Sequence, residues 1–285
     1  MRLPAELRNA LETALGANIL HSQPLGGGCI HEALRLETSE GPLFCKWNKR
    51  GQEANFAADA AGLQRLAASA TLRVPGVRAQ VRSPQHTALV LEYLEAGPES
   101  PEFWEKLAQG LAALHQHSAP AFGLEADNFI GSLPQANGWM DDFHRFWAER
   151  RLQPLLEQAW PRLTAEDRPR AQRLLEKLPE LIPAEAPALL HGDLWRGNLM
   201  ADTQGNPCLM DPAVYYGHRE AELAFTRLFG GFAPAFYACY QDAFPLLDGW
   251  RERVELFNLY PLLAHLVMFG TSYLRQVQGI LKRYG

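Results

Sequence analysis

The stretch HGDLWRGN, residues 191–198, directly follows the apolar run 187–190. A short apolar run bounded by polar residues is typical of a buried strand, and polar side chains are costly to bury unless they are paired. We therefore expect a strand that delivers the chain to a cleft, where His191, Asp193 and Asn198 face a charged ligand. Taken alone, Asp193 and Asn198 could also be a loop acid and a turn amide, because short motifs often match by chance.

Phosphoryl transfer from a nucleotide would give this polar stretch a chemical purpose. It needs oxygen ligands for a metal ion, a cation on the phosphates, a flexible loop over them, and a carboxylate that accepts the hydroxyl proton. Asp193 and Asn198 stand five positions apart (198 minus 193), like the acid and the amide of the protein-kinase pattern H-R-D-x-x-x-x-N. Asp211 follows a predicted strand at 208–210 and is the expected second metal ligand.

Lys46 and the glycines Gly26, Gly27 and Gly28 are the candidates for the cation and the loop. A run of glycines more often forms a flexible turn than a phosphate cradle, and this run lacks the lysine and serine of a Walker A loop. A lone lysine on a strand is usually an edge residue whose amine reaches water. The order of glycine loop, lysine strand and helix along the chain favours phosphate binding for both.

Composition narrows the class of protein. The chain has 285 residues, 47% of them hydrophobic, and a formal net charge of −5 without a block of like charge, which argues against nucleic-acid binding. Its four cysteines are far apart and its nine histidines form no H-E-x-x-H pattern, so we expect reduced thiols and no zinc. The N-terminus has charges where a secretory signal needs an apolar centre. The apolar stretch 256–269 is shorter than the roughly 20 residues of a membrane span, and we interpret it as a core helix.

The pattern of apolar residues changes near residue 95. Before it we expect strand, strand, strand, helix, strand, strand, and after it mainly helices, with short strands around the motif. This predicts an α+β fold with two lobes: a small antiparallel β lobe with one main helix at 1–95 and a larger, mostly helical lobe at 96–285. The predicted strands are 18–24, 30–37, 43–47, 77–81, 88–93, 188–190, 198–201 and 208–210; the predicted helices are 52–70, one beginning at 100–103, 139–158, 165–181, 219–228 and 250 to near the end.

Six stretches spread over nearly the whole chain share one pattern: GGGCI (26–30), GPLFCK (41–46), FIGSLPQ (129–135) with Trp139, HGDLWRGN (191–198), DPAVYYGHRE (211–220) and LFGGF (228–232). In these stretches the sequence resembles the fructosamine kinase family, also called ketosamine-3-kinases. This is a branch of the protein-kinase-like superfamily, which also includes aminoglycoside and choline kinases. HGDLWRGN with its Trp195, and DPAVYYGHRE, are the motifs specific to the branch.

The resemblance implies a role for each matching position. Asp193 would be the catalytic base, Asn198 and Asp211 would hold Mg²⁺, and Lys46 would contact the phosphates of ATP. The backbone of Glu92, Tyr93 and Leu94 would receive adenine. Four residues of the family-specific motifs are candidates for the sugar-amine pocket: Trp195, Tyr216, His218 and Glu220. For Tyr216 and His218 the alternative is that they only attach the turn after Asp211 to the larger lobe.

Two positions raise separate questions. Where the family carries a glutamate that pairs with the lysine, this chain has Asp59, one methylene shorter. Either the helix lies closer to Lys46 or water bridges the pair, and Glu53 is a less well placed substitute.

Cys29 stands beside the glycines, where a lowered thiol pKa would make activity sensitive to oxidation. The alternative is an inert loop residue.

The implied reaction is transfer of the γ-phosphate of ATP to the 3-hydroxyl of a ketoamine, the rearranged adduct of a sugar and an amine. The 3-phosphate then leaves and the free amine is recovered, which amounts to deglycation. The expected partners are ATP, Mg²⁺ and a ribulosamine, erythrulosamine or fructosamine, on a protein or a free amine. We expect a cytoplasmic monomer or weak dimer without membrane or nucleic-acid partners. An aminoglycoside-like or choline-like kinase and a nucleotide-binding pseudokinase are the alternatives.

Overall fold

The computed structural model describes residues 3–26 and 32–285. The chain divides into two compact units: the described residues of Met1–Phe103 together with Leu199–Pro212, and Trp104–Asn198 together with Ala213–Gly285. The helices are α1 (Ala5–Leu15), α2 (Glu53–Ser69), α3 (Phe103–His115), α4 (Phe143–Phe146), α5 (Gln153–Ala159), α6 (Asp167–Leu181), α7 (Arg219–Phe225), α8 (Pro234–Ala243), α9 (Trp250–Phe269) and α10 (Leu274–Tyr284). The strands are β1 (Ile19–Leu25), β2 (Glu32–Thr38), β3 (Gly41–Lys49), β4 (Val77–Arg82), β5 (His86–Glu92), β6 (Asn128–Ile130), β7 (Leu133–Gln135), β8 (Ala188–Leu190), β9 (Leu199–Ala201), β10 (Pro207–Leu209) and β11 (Tyr215–Gly217).

The first unit is built on a five-stranded antiparallel sheet with the strand order β1-β2-β3-β5-β4. Both faces of the sheet are covered, so the middle residues of the interior strand β5, from Ala88 to Leu91, are all apolar and buried. Side chains alternate along a strand, and Ala88 and Val90 pack with α1 while Leu89 and Leu91 pack with α2. The predicted order of three strands, a helix and two strands is confirmed. Helix α1, which buries Leu7 and Leu11, was not predicted.

The second unit is mainly helical. Its core joins α5, α6, α9 and α10 through fully buried leucines such as Leu156, Leu174, Leu263 and Leu281. Together with the sheet of the first unit, this confirms the predicted α+β class. None of the helices in residues 3–26 and 32–285 is long and apolar enough to cross a membrane, and the stretch 256–269 lies within α9.

Three predicted helices of the second unit differ in detail from the structure. The helix expected at 139–158 begins at Phe143 and contains a π-helical segment, Trp147–Leu152, between α4 and α5. The helix expected from 250 onward is divided at Gly270, whose φ of 89° ends α9. Helix α7 is shorter than predicted, and α8 was not predicted at all.

Candidate active site

The motif HGDLWRGN begins where β8 ends. Strand β8 pairs with β11, with Leu190 opposite Tyr215, and the chain then turns at Gly192. Gly192 has a φ of 83°, and a Cβ atom at this position would lie 2.0 Å from the carbonyl oxygen of Ala213. Only glycine fits such a close approach of two backbone segments. The turn therefore fixes where the next residue, Asp193, leaves the strand.

The structure brings Asp193 and Asn198 together, although Asn198 lies in a separate 3₁₀ turn. The amide nitrogen Nδ2 of Asn198 donates to the main-chain oxygen of Asp193 at 2.8 Å and to its carboxylate Oδ2 at 2.9 Å. Asn198 is 7% exposed, so these bonds are shielded from competing water. They hold the Asp193 side chain in one orientation.

This contact also orients the amide group of Asn198. An amide binds Mg²⁺ through its oxygen, so Oδ1 is the candidate ligand atom, and the hydrogen bonds of Nδ2 to Asp193 fix the direction in which Oδ1 points. Mg²⁺ takes oxygen ligands and needs only one or two of them from the protein when phosphates supply others. The predicted ligands Asn198 and Asp211 fit that chemistry. Within the described part of the chain no three histidine, cysteine or carboxylate side chains cluster as a metal site.

Glu222 contacts the backbone at the start of the motif 191–198, and no sequence pattern indicated this role. Its carboxylate accepts the backbone N–H of His191 at 3.0 Å and of Gly192 at 2.7 Å. It also contacts His115 Nε2 at 3.0 Å, and His115 Nδ1 lies 2.7 Å from the hydroxyl of Tyr240. Burial alone would raise the pKa of Glu222, but its hydrogen bond with His115 and the backbone donors lower it, so the carboxylate is charged.

Lys46 lies on β3 in the first unit and is 7% exposed. Its amine donates to Asp59 Oδ2 at 2.7 Å and also to Asp211. Burial alone would lower the pKa of Lys46, but the two carboxylates raise it above its ordinary value and keep the amine charged. Asp211 follows β10 with a φ of 55°, a left-handed conformation that is uncommon outside glycine and is found at functional sites.

Asp59 therefore pairs with Lys46 directly, without a water bridge. Helix α2 packs against β5 through Phe56, Leu63 and the small side chain of Ala60, all buried. This close packing compensates for the shorter aspartate. Glu53, the proposed substitute, instead accepts the backbone N–H of Gly51 at 2.7 Å at the start of α2.

The segment expected to receive adenine follows β5. The backbone N–H of Glu92 donates to Gly76 O at 2.7 Å, and the ring of Tyr93 lies 4.5 Å from the guanidinium of Arg35. Leu94 continues outside any helix or strand. At the other end of the candidate nucleotide site, Gly26 is a bend after β1, whereas Gly27, Gly28 and Cys29 lie outside the described residues.

The four candidates for the sugar-amine pocket separate into two pairs. Trp195 and Tyr216 are partly exposed: Trp195 lies against Phe229 with the ring centroids 6.0 Å apart, and Tyr216 lies 5.9 Å from Trp139. A Cβ atom at residue 197 would come within 2.3 Å of the Trp195 ring, so the glycine of the motif makes room for it.

His218 and Glu220 are almost fully buried. His218 Nδ1 accepts the N–H of Glu220 at the first turn of α7, and its Nε2 lies 3.1 Å from Pro183 O. Glu220 binds Arg253 through both carboxylate oxygens, at 2.6 and 2.7 Å. These contacts favour, for His218, the alternative in which it attaches the turn to its lobe.

The family model described as fructosamine kinase matches residues 5–284. The chain belongs to the fructosamine kinase family. A protein named "Probable ketoamine kinase" from Synechocystis sp. is 41% identical over 268 residues, which cover 93% of this chain and 90% of that protein. The chloroplastic protein-ribulosamine 3-kinase of Oryza sativa subsp. indica is 35% identical over 266 residues, which cover 91% of this chain and 77% of that protein.

Solved structures agree with this membership. A candidate fructosamine-3-kinase from Haemophilus somnus superposes with a TM-score of 0.88 at 27% identity and covers 98% of this chain and 96% of that chain. The aminoglycoside phosphotransferase APH(4)-Ia, solved with ADP and hygromycin B, has a TM-score of 0.64 at 17% identity and covers 98% of each chain. At that identity the likeness shows the fold alone, and it confirms the predicted kinase-like fold.

Proposed function

We propose that this protein is an ATP-dependent ketosamine-3-kinase that phosphorylates the 3-hydroxyl of ketoamines and so initiates their deglycation. The observation that carries the proposal is the Asn198 amide held on both the backbone and the carboxylate of Asp193. It is the arrangement that a phosphotransferase needs for an oriented base. The names of the ketoamine and ribulosamine kinase relatives give the acceptor class.

In this proposal Asp193 is the base. Asn198 holds the Asp193 carboxylate on Oδ2, and the carboxylate accepts the proton of the substrate hydroxyl as the hydroxyl oxygen bonds to the γ-phosphorus and ADP leaves. Glu222 holds the backbone in front of Asp193 and so limits its movement. An acceptor that is positioned against a fixed base gains most of its rate from orientation.

The nucleotide is bound by the first unit. Lys46 would exchange part of its contact with Asp59 and Asp211 for phosphate oxygens, and the backbone of Glu92, Tyr93 and Leu94 would bind adenine. Bound Mg²⁺ would supply the positive charge that offsets the negative charge developing on the transferred phosphate. Asp211 and the Oδ1 atom of Asn198 would hold it.

The ketoamine would meet the partly exposed aromatic rings of Trp195 and Tyr216. A ketoamine carries an amine that is cationic at neutral pH, and aromatic faces attract such a cation. Once the 3-phosphate is formed, it stands on the carbon next to the carbonyl. Loss of a proton from C1 expels inorganic phosphate and leaves an imine, and water then hydrolyses the imine to release the free amine and a dicarbonyl sugar. We place the reaction in a reducing compartment such as the cytoplasm, because Cys45, Cys208 and Cys239 are free thiols.

The test is ATP consumption by the purified protein with Mg²⁺ and, separately, a ribulosamine, a fructosamine and kanamycin. We expect turnover on at least one ketoamine and its loss in Asp193→Asn, which keeps the size of the side chain and removes the base. Turnover on kanamycin alone would replace the proposal with antibiotic modification. Nucleotide binding without turnover on any of the three would favour a pseudokinase.

A further inference from the structure

Arg73 connects the two parts of the first unit that carry the candidate nucleotide and metal residues. It lies between α2 and β4 and was not singled out by any sequence motif. Its Nη1 donates to Asp202 Oδ2 at 2.7 Å and its Nη2 donates to Glu92 Oε1 at 2.9 Å. Its main-chain oxygen accepts the N–H of Leu209 at 2.9 Å. One residue thus binds the end of β5 and both the turn and the second strand of the hairpin β9–β10.

The hairpin contact reaches the candidate metal ligand. Asp202 is 4% exposed, and its Oδ1 accepts the backbone N–H groups of Gln204 and Asn206, each at 2.9 Å. That leaves Oδ2 for Arg73. Strand β10 ends at Leu209, two residues before Asp211. Arg73 therefore fixes the hairpin at its turn through a side chain and at its outgoing end through the main chain.

The contact with Glu92 reaches the adenine segment. Glu92 Oε2 accepts the N–H of Gly76 at 3.1 Å, and the N–H of Glu92 donates to Gly76 O at 2.7 Å. The carboxylate is thereby bound on one oxygen by the backbone and on the other by Arg73. The residue that begins the predicted adenine segment is held in a defined place.

We propose that Arg73 is a positioning residue for Mg²⁺·ATP: it couples the adenine segment at Glu92 to the hairpin that carries Asp211. The inference rests on the proposed nucleotide site of the first unit. In this proposal Arg73 acts through Glu92 and Asp202 and not by direct contact with the nucleotide or the acceptor. An arginine is required because its planar fork presents two donors in fixed directions to two separate carboxylates, whereas a lysine has one ammonium group on a flexible stem.

The consequence is specific to the nucleotide. Without the contacts of Arg73 to Glu92 and Asp202, the adenine segment and the hairpin that carries Asp211 are no longer held in fixed positions relative to each other. The affinity for Mg²⁺·ATP therefore falls, while the affinity for the ketoamine does not. Mutations along a coupling network typically change the coupling between two sites by roughly twofold to thirtyfold, and we expect an effect in the middle of that range. A purely structural arginine would lower the melting temperature without this selectivity.

The experiment compares Arg73→Ala, Arg73→Lys and Asp202→Asn with wild type by calorimetric binding of AMP-PNP with Mg²⁺, and by KM for ATP and for the ketoamine. Arg8→Ala is the matched control, because the Arg8 side chain is 43% exposed and pairs with Glu12, and that of Arg73 is 46% exposed. We expect the three variants to bind AMP-PNP about threefold to tenfold more weakly, with the ketoamine KM unchanged and Arg8→Ala equal to wild type.

Affinity for AMP-PNP within twofold of wild type in folded Arg73→Ala would overturn the inference, as would an equal rise in both KM values. If Arg73→Ala does not fold, Arg73→Lys and Asp202→Asn decide by the same criterion. The binding measurement needs no acceptor. A wild type that binds AMP-PNP but phosphorylates no ketoamine would therefore refute the proposed function and leave the role of Arg73 measurable.

Discussion

Replacing Glu222 with glutamine tests whether a buried carboxylate holds the loop 191–198, which carries the proposed base Asp193. Glu222 is the acceptor for the backbone N–H groups of His191 and Gly192 and a partner of His115. Glutamine has almost the same shape, but it offers one acceptor oxygen and places an NH₂ group where the second oxygen was. One of the two backbone donors must then remain without a partner inside the protein.

The magnitude follows from that loss. A buried donor left unsatisfied costs about 1–3 kcal/mol, and a hydrogen bond to a charged group contributes about 1.5–3 kcal/mol. Since the two overlap, we expect a loss of roughly 2–4 kcal/mol in the free energy of unfolding. The freed N–H also lets the loop shift. A displacement of about 1 Å at a reacting group costs on the order of 100-fold in rate, so kcat should fall by about 10- to 100-fold.

The assay needs a control with equal structural damage away from the loop. Asp167 is 1% exposed and accepts the backbone N–H and the hydroxyl of Thr164, at 2.9 and 2.8 Å, and Gln278 Nε2 at 2.8 Å. All three of these bonds end on Oδ2, so Asp167→Ala, which removes that oxygen, should lose at least as much stability, measured by urea unfolding, but keep kcat for ATP and ketoamine. If Glu222→Gln loses stability and keeps its kcat, like the control, then Glu222 does not position the loop.

Three further outcomes are expected. The pKa of the Glu222 carboxyl is lower in the folded chain than in the unfolded chain, so its stabilising effect is complete above about pH 4.5 and is lost as the pH falls further. The difference in melting temperature between wild type and Glu222→Gln should therefore shrink below that pH. A difference that stays constant with pH would contradict this. Asp59→Glu should lower the free energy of unfolding by roughly 1–3 kcal/mol, because the longer side chain overpacks the space between α2 and Lys46, and it should raise the KM for ATP. Wild-type values in urea unfolding and in kinetics would show that α2 has room for a longer side chain. Trp195→Ala should raise the ketoamine KM about 3- to 10-fold with the ATP KM unchanged, and a change in the ATP KM instead would remove Trp195 from the acceptor pocket.

The β-rich first unit could be predicted well because its signal is local. The short apolar runs in 88–93 and 43–47, the turn residues between the strands, and the helical spacing of 52–70 are each contained within a few neighbouring residues. The spacing of Asp193 and Asn198 is local as well. Such patterns survive in the sequence because strand and helix periods are fixed by backbone geometry.

The orientation of helix α7 could not be predicted from the sequence. Every residue from Arg219 to Phe225 is buried, so the helix has no polar face that would reveal its orientation. The motif singles out Glu220. Glu222, two positions later, is the residue whose carboxylate accepts the backbone N–H groups of His191 and Gly192. The choice between them depends on how α7 packs against β8 and α9, and no period in the sequence records that.

The sequence by itself determined the α+β class and the family, and it predicted Asp193 as the base with Asn198 near it. Only the tertiary structure decided which carboxylates meet Lys46, how Arg73 links Glu92 to Asp202, and that His115 supports Glu222. The partners in these contacts are separated by as many as 165 positions along the chain. The side chains of distant residues meet only after the chain has folded, and charge pairs between them leave no local pattern to read.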